Sequence, residues 1–191
     1  MEVIIASFIT AIATFFSVYV GKKCLPRKNS CPVKSDTDRS ANVYKALRYT
    51  MQNMEADRCY ILEFHNGGHY YSGRGQQKFS CTHEMVEEGI SRECIKSQEH
   101  RVSNYFDYIN TLITNKQFKY EKINDMNDSS FLMLLNRSGV KSIYNVPIKT
   151  LDGKLIGILG IDYVKNEAVQ FTDQDFKFLK KQSRIIAGYL I

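Results

Sequence analysis

Residues 139–190 constrain this chain more than any other stretch. Two apolar runs, Ser142–Lys149 and Leu155–Val164, flank Leu151-Asp152-Gly153-Lys154. Asp-Gly between apolar runs predicts a hairpin, because Gly reaches positive φ without a Cβ clash. In the first run Tyr144, Val146 and Ile148 fall on one face. In the second, Leu155, Leu159, Ile161 and Tyr163 share one face and Ile156, Ile158 and Val164 the other. A strand apolar on both sides belongs in the middle of its sheet. Phe171-Thr172-Asp173-Gln174-Asp175 then opens a helix running to Leu190. Thr172 is its expected N-cap, and Asp173 and Asp175 sit where the helix dipole favours anions. Phe176, Leu179, Ser183, Ile186 and Leu190 repeat along one face, and Phe178, Ile185 and Tyr189 make a second, partial stripe. One side of such a helix packs on the sheet and the other is open to a partner.

The preceding chain alternates strands with helices. A helix is expected from about Asp36 or Ser40 to about Asp57, with Val43, Leu47, Met51 and Met54 on one face. Cys59–His65 reads as a strand, with Tyr60, Leu62 and Phe64 pointing one way and Cys59, Ile61, Glu63 and His65 the other. Asn66-Gly67-Gly68 is the expected turn, followed by a polar loop over His69–Gly75. Gln76–Val86 reads as a second strand with Phe79, Cys81 and His83 on one face. Ser91–Asn115 reads as mostly helical, ending in Val102, Phe106, Ile109 and Ile113. A short strand over Phe118–Ile123 and a helix over Phe131–Arg137, capped by Ser129 or Ser130 and stopped at Gly139, complete the pattern.

The amino terminus has a different character. Val3–Val20 is 18 residues without a charge. At 1.5 Å per residue it spans about 27 Å, close to the roughly 30 Å hydrocarbon core of a bilayer. A secretory signal peptide fits poorly: the only charge before the run is Glu2, no A-x-A site follows, and Lys22-Lys23 come at once. A buried core helix is the other reading; the uniform run favours a membrane span over residues 3–21. Basic residues lie on its carboxyl side, so the positive-inside rule puts the amino terminus outside and the remaining chain in the cytoplasm, at an inner membrane.

Charge is uneven along the chain. Of the net +6, residues 22–39 carry +4, residues 40–191, with 20 basic and 17 acidic residues, carry +3, and Glu2 carries −1. The domain itself is not basic, which argues against nucleic acid as a partner. Lys22, Lys23, Arg27 and Lys28 are placed to meet anionic lipid headgroups, each worth up to about 1 kcal/mol. Residues 22–39, with Pro26 and Pro32, read as a linker and 40–191 as one domain. Five cysteines make an odd number without a CxxC, which points to a reducing compartment and free thiols. Cys24 is placed for acylation, although a spectator thiol is the plainer reading. Abundant Lys, Asn, Ile and Tyr with 3 Pro and no Trp point to an AT-rich genome, bacterial or phage.

Two constellations bear on chemistry. His65, His69, Cys81 and His83, with Glu63 and Glu84 nearby, are metal-ligand types on two adjacent strands, but their spacing matches no zinc motif. Turn and strand histidines with ordinary hydrogen bonds are the plainer reading. Cys81 and His83, two apart on a strand, would share a face where imidazolium lowers a thiol pKa; a free core cysteine is again the plainer reading. No Walker loop, G-x-G-x-x-G, G-x-S-x-G or H-E-x-x-H occurs.

Gly139-Val140-Lys141-Ser142-Ile143, Val146-Pro147-Ile148, the Gly153-to-Leu159 run, Phe171-Thr172 with Asp175, and a helix containing Ile186-Ala187 together resemble the carboxyl half of a GAF domain. The resemblance implies an α+β fold with an antiparallel central sheet flanked by amino- and carboxyl-terminal helices, which often pair in a homodimer. It also implies a small-molecule pocket on one sheet face, lined here by Glu63, His65, Phe79, Cys81, His83, Tyr144 and Asp162. The chain departs from the Asn-Lys-Phe-Asp-Glu signature of cyclic-nucleotide binders: Phe171 and Asp175 match, but Phe176 follows Asp175 and Lys165-Asn166 is reversed. The expected function is sensing or regulation by ligand or protein binding, without catalysis, from a membrane anchor and with an unidentified protein as output. The alternatives are a tethered scaffold using the fold for assembly alone, and a thiol- or metal-dependent enzyme built on Cys81, His83, His65 and Glu63.

Overall fold

A computed structural model describes residues 31–127, 129–166 and 169–191. The span expected over residues 3–21 and the basic residues Lys22, Lys23, Arg27 and Lys28 lie outside them. Among the described residues no helix is long and apolar enough to cross a membrane. The chain divides into two compact units, the first ending at Thr37 and the second beginning at Asp38. Every described strand belongs to the second unit.

The first described helix, α1, spans Pro32–Met54. The linker expected to reach residue 39 is therefore already helical from residue 32. Pro at a first helical position has φ preset and loses no hydrogen bond it would otherwise make. Val43, Ala46, Leu47, Thr50 and Met51 are its buried stripe. It ends where Glu55 takes φ 49° and the Ala56 N–H donates back to the Met51 carbonyl at 3.1 Å, a left-handed helix stop.

Strands β1 (Arg58–His69) and β2 (Gly75–Val86) form a long antiparallel hairpin. The expected turn at Asn66-Gly67-Gly68 is instead part of β1, and the chain reverses at Tyr70–Arg74, where the Tyr70 N–H donates to the Arg74 carbonyl at 2.8 Å. A register shift between Asn66 and His69 absorbs the two glycines. The mostly helical expectation for 91–115 holds only at its end. Residues 91–99 are irregular, His100–Arg101 form β3, Val102–Tyr105 a 3-10 turn, and α2 covers Phe106–Asn115. Its buried residues are Tyr108, Ile109 and Leu112, while Phe106 and Ile113 are exposed.

The remaining elements match the reading closely: β4 (Phe118–Tyr120), α3 (Ser129–Arg137), β5 (Ser142–Lys149), β6 (Leu155–Tyr163) and α4 (Asp173–Leu190). At the β5–β6 turn Gly153 has φ 88°, which the Asp-Gly pair anticipated. Thr172 caps α4 in a reciprocal box with Asp175. The strands form one antiparallel sheet in the order β3-β2-β1-β6-β5-β4, so β6 is central, as its two apolar faces require.

Each face of the sheet carries its own core. On one lie α1 and α4, burying Leu47, Met51, Ile61, Tyr144, Leu159, Ile161, Leu179 and Ile186. Tyr49 of α1 and Phe178 of α4 meet with ring centroids 5.9 Å apart. The other face carries α2, α3 and the irregular segment, over Leu62, Phe79, Cys81, Ile143 and Ile158.

Candidate functional site

The second face leaves a cavity of about 80 Å³. Its floor is β1 (Arg58, Tyr60, Leu62), β2 (Phe79, Cys81, Glu84) and Asp162 of β6. Its cover is the irregular segment (Glu93, Cys94, Lys96, Ser97) together with α3 and its exit (Phe131, Leu134, Ser138).

Local register explains who faces it. Cys81 pairs with Leu62 and His83 with Ile61, so Thr82 is an extra residue in β2. Such a bulge inverts the alternation beyond it. Phe79 and Cys81 face the cavity, His83 is turned to the helix side, and Glu84, paired with Tyr60, is turned in. The expectation that Phe79, Cys81 and His83 share one face is thus corrected by one inserted residue. His83 Nε2 lies 3.2 Å from Ser40 Oγ, and its ring stands edge-on to Tyr44 at 5.3 Å. The Cys81–His83 thiol–imidazole pair does not form; the Cys81 thiol donates to the His83 carbonyl at 3.6 Å.

The other expected site residues sort the same way. Asp162 lines the cavity. Glu63 and His65 alternate away from it: Glu63 accepts from Thr82 Oγ1 at 2.6 Å, and His65 Nε2 is 2.9 Å from Ser80 Oγ. Tyr144 is fully buried in the helix-side core, its hydroxyl donating to Gln117 Oε1 at 2.6 Å. His69 pairs with Gly75 at the far end of the hairpin. The structure therefore does not bring His65, His69, Cys81 and His83 together, and among the described residues no group of three or more His, Cys, Asp or Glu is arranged to hold a metal.

Arg58, which the sequence reading did not single out, joins Asp162 and Glu84 at the charged end of the cavity. Arg58 is 1% exposed. Its Nε donates to both Asp162 oxygens at 2.8 and 3.2 Å, Nη1 to the Ser91 carbonyl at 3.2 Å and Nη2 to the Ser138 carbonyl at 2.7 Å. Buried Glu84 accepts the backbone N–H of Glu93 at 3.0 Å and of Cys94 at 3.2 Å. These two side chains hold the cover to the sheet. Burial pushes the Asp162 carboxyl up to about 7; Arg58 opposes the rise, and the charges of Glu84 and Asp57 add to it. Each guanidinium nitrogen donates to a protein acceptor, and the charged partner among them is Asp162.

A second polar set lies beside it. The Tyr60 hydroxyl donates to Asn145 Oδ1 at 3.2 Å, and Asn145 Nδ2 donates to the Tyr108 hydroxyl at 2.7 Å. Gly160 makes room for this: a Cβ there would come within 2.3 Å of the Tyr60 ring and 2.6 Å of Asn145 Oδ1. Burial pushes both phenols well above their ordinary range, so they remain donors. A wider groove of about 900 Å³ runs on the helix side between α4 and the β5–β6 turn, edged by Lys116, Lys149, Lys180 and Arg184.

The sequence signal for Arg58, and for its pairing with the expected Asp162, was present but weak. Arg58 and Asp162 flank apolar strands, where a charge is buried only if paired. Their partnership required knowing that β1 and β6 are neighbours, with Arg58 opposite Asp162.

Comparison with known proteins agrees with this architecture. The GAF domain family model matches residues 38–190. Among solved structures, the blue-light absorbing form of the PixJ GAF domain from Thermosynechococcus elongatus has a TM-score of 0.66 at 15% identity, covering 84% of this chain and 89% of that one. The GAF domain region of a Geobacter sulfurreducens protein named as a membrane protein has a TM-score of 0.60 at 15% identity, covering 83% and 96%. A domain of a Sinorhizobium meliloti protein named as a two-component sensor histidine kinase has a TM-score of 0.53 at 15% identity, covering 78% and 88%. At these identities the structural likeness speaks to the fold alone, and no curated protein matches the sequence. With the family model spanning its second unit almost end to end, the chain belongs to the GAF domain family.

Proposed function

We propose that this chain is a membrane-tethered regulatory module that binds a small molecule in the cavity beneath residues 93–97 and α3 and performs no chemistry itself. The observation that carries the reading is the construction of that cavity. It has apolar walls from three elements, and its cover is held to the sheet by Arg58 and Glu84. A cover held by a few polar bonds can respond to what lies under it.

Size and charge define the ligand class. About 80 Å³ is well below the roughly 300–1,000 Å³ of pockets for drug-sized ligands. Three carboxyls in the lining, Glu84, Glu93 and Asp162, against two cations, Arg58 and Lys96, disfavour anions. The ligand is therefore small and neutral or cationic, with an apolar body against Leu62, Phe79 and Phe131. Of the residues expected at the site, Phe79, Cys81 and Asp162 are placed to touch it, while Glu63, His65, His83 and Tyr144 are not.

The tether is residues 3–21, with Lys22, Lys23, Arg27 and Lys28 against anionic headgroups. One structural relative, a GAF domain region, comes from a protein named as a membrane protein. The helix side, with the exposed Ile185 of α4 and Tyr49 of α1, is where a second copy or an output protein would read the state.

Two measurements test this on the full chain. Washing membranes with alkaline carbonate should leave the protein in the pellet; release into the supernatant would remove the tether. Native mass spectrometry of detergent-purified protein should show a mass excess that Leu134→Phe, which fills the cavity, abolishes. A protein that carries no added mass and gains no thermal stability from small neutral or cationic compounds would be a scaffold.

A further inference from the structure

Two thiols in the cavity wall form a unit that the ligand reading does not use. Cys81 lies on β2, and Cys94 lies in the cover. The Cys94 thiol donates to the Cys81 carbonyl at 3.2 Å. Their backbones are clamped together. The Cys81 N–H donates to the Ser97 carbonyl at 2.7 Å. Gln98 Nε2 donates to the carbonyls of both Cys81 (2.7 Å) and Cys94 (2.6 Å), and Glu84 accepts the Cys94 N–H. Both cysteines are free, Cys81 buried and Cys94 partly exposed. Cys59 lies fully buried in the helix-side core, on the opposite face of the sheet.

We infer that Cys81 and Cys94 are a peroxide-sensitive dithiol that closes to a disulfide between the sheet and the cover of the cavity. The partly exposed thiol reacts first. The Cys94 sulfur attacks a hydroperoxide; an S–O bond forms, the O–O bond breaks, and the alcohol or water leaves with the Cys94 proton. The resulting sulfenic acid is attacked by the Cys81 sulfur; an S–S bond forms, the S–O bond breaks, and water leaves with the Cys81 proton. Two thiols are oxidised by two electrons, and one hydroperoxide is reduced. Burial raises the Cys81 thiol pKa, so Cys81 is not the thiol that meets the peroxide first. A transient bond of this kind fits a reducing compartment, where disulfides serve sensing instead of construction. It joins floor to cover directly across the cavity, so oxidation locks residues 93–98 over whatever the cavity holds.

The test uses the reduced full chain in detergent with hydrogen peroxide as the probe, followed by thiol alkylation and peptide mapping. The expected product lacks two hydrogens, carries a Cys81–Cys94 cross-linked peptide, returns to the dithiol with dithiothreitol, and shows slower amide exchange over 93–98. Cys81→Ala, which keeps an apolar group in the buried position, should stop at a Cys94 sulfenic acid trapped by dimedone. Cys94→Ser should leave Cys81 alkylatable. The proposal is overturned if wild-type Cys94 runs on to sulfinic acid while Cys81 stays free, or if Cys94→Ser is oxidised at Cys81 as readily as wild type. It fails as a lock if the disulfide forms and amide exchange over 93–98 does not change.

Discussion

The two faces of the sheet bury their surfaces by different means. Under α1 and α4 the core is almost wholly apolar, with side chains such as Leu47, Ile61, Leu159, Leu179 and Ile186 at full burial. Two long helices with periodic stripes can cover a sheet that way. The opposite face is covered by α2, α3, the 3-10 turns Val102–Tyr105 and Ile123–Asp125, and the irregular 87–99 segment. Short elements carry no long stripe, and their unpaired carbonyls and N–H groups need partners. Arg58 and Glu84 supply them from within the sheet, at the cost of burying charge. One face is held by area and the other partly by a few directional bonds. The second is the face that a ligand or an oxidant can alter locally.

Breaking the directional bonds should have the largest effect. Arg58→Ala leaves Asp162 and Glu84 buried beside an empty position and releases the Ser91 and Ser138 carbonyls, with an expected loss of about 3–5 kcal/mol in urea unfolding. Arg58→Met with Asp162→Leu removes both charges and should recover much of the loss, yet still leave residues 87–99 hypersensitive to protease. If the cover stays protected in the double variant, Arg58 is not its anchor.

On the apolar face Leu179→Ala should cost about 2–5 kcal/mol by opening a cavity. The cover's protease resistance should stay at the wild-type level. Loss of both together would mean that the two cores are not independent.

The smallest expected effect is of pH. Burial lowers the His100 pKa, and its Nε2 is buried without a hydrogen-bond partner. Folded His100 takes up a proton less readily than the unfolded chain does. Stability from this group is complete above the ordinary imidazole range and falls as pH drops towards the lowered folded value. Asp162 has the opposite sign: its raised folded pKa favours proton uptake on folding, so acidification from about 7 stabilises through it. Urea midpoints at about pH 7.5 and about pH 5.5 should therefore differ between wild type and His100→Phe, the variant losing less on acidification. Equal losses would show that His100 does not contribute to the pocket face's pH response.

Legibility followed the same division. The hairpin over Ser142–Tyr163, the central position of β6, the Thr172 cap and the stripe of α4 were all readable, because each is set by spacing within a short window. Around the cavity the reading failed at two kinds of place. The 91–105 region looked helical, although it folds as an irregular segment, a two-residue strand and a 3-10 turn. The side on which His83 lies depended on the bulge at Thr82, which has no glycine or proline to mark it. Of seven residues expected to line the cavity, Phe79, Cys81 and Asp162 do so; the bulge turns His83 away, while Glu63 and His65 alternate away on β1 and Tyr144 of β5 lies in the helix-side core.

What the sequence determined by itself was local: the periodicity, caps and turn that build the helix-side core and identify the family, since neighbours within a few residues decide φ, ψ and face. What only the tertiary structure decided was long-range. Arg58 meets Asp162 across 104 residues, and Tyr60 and Tyr108 converge on Asn145. Cys94 lies against Cys81 because Glu84 and Gln98 bind the irregular segment to β2. Those pairings depend on strand order and register, and a single inserted residue in a strand exchanges the two faces for everything beyond it.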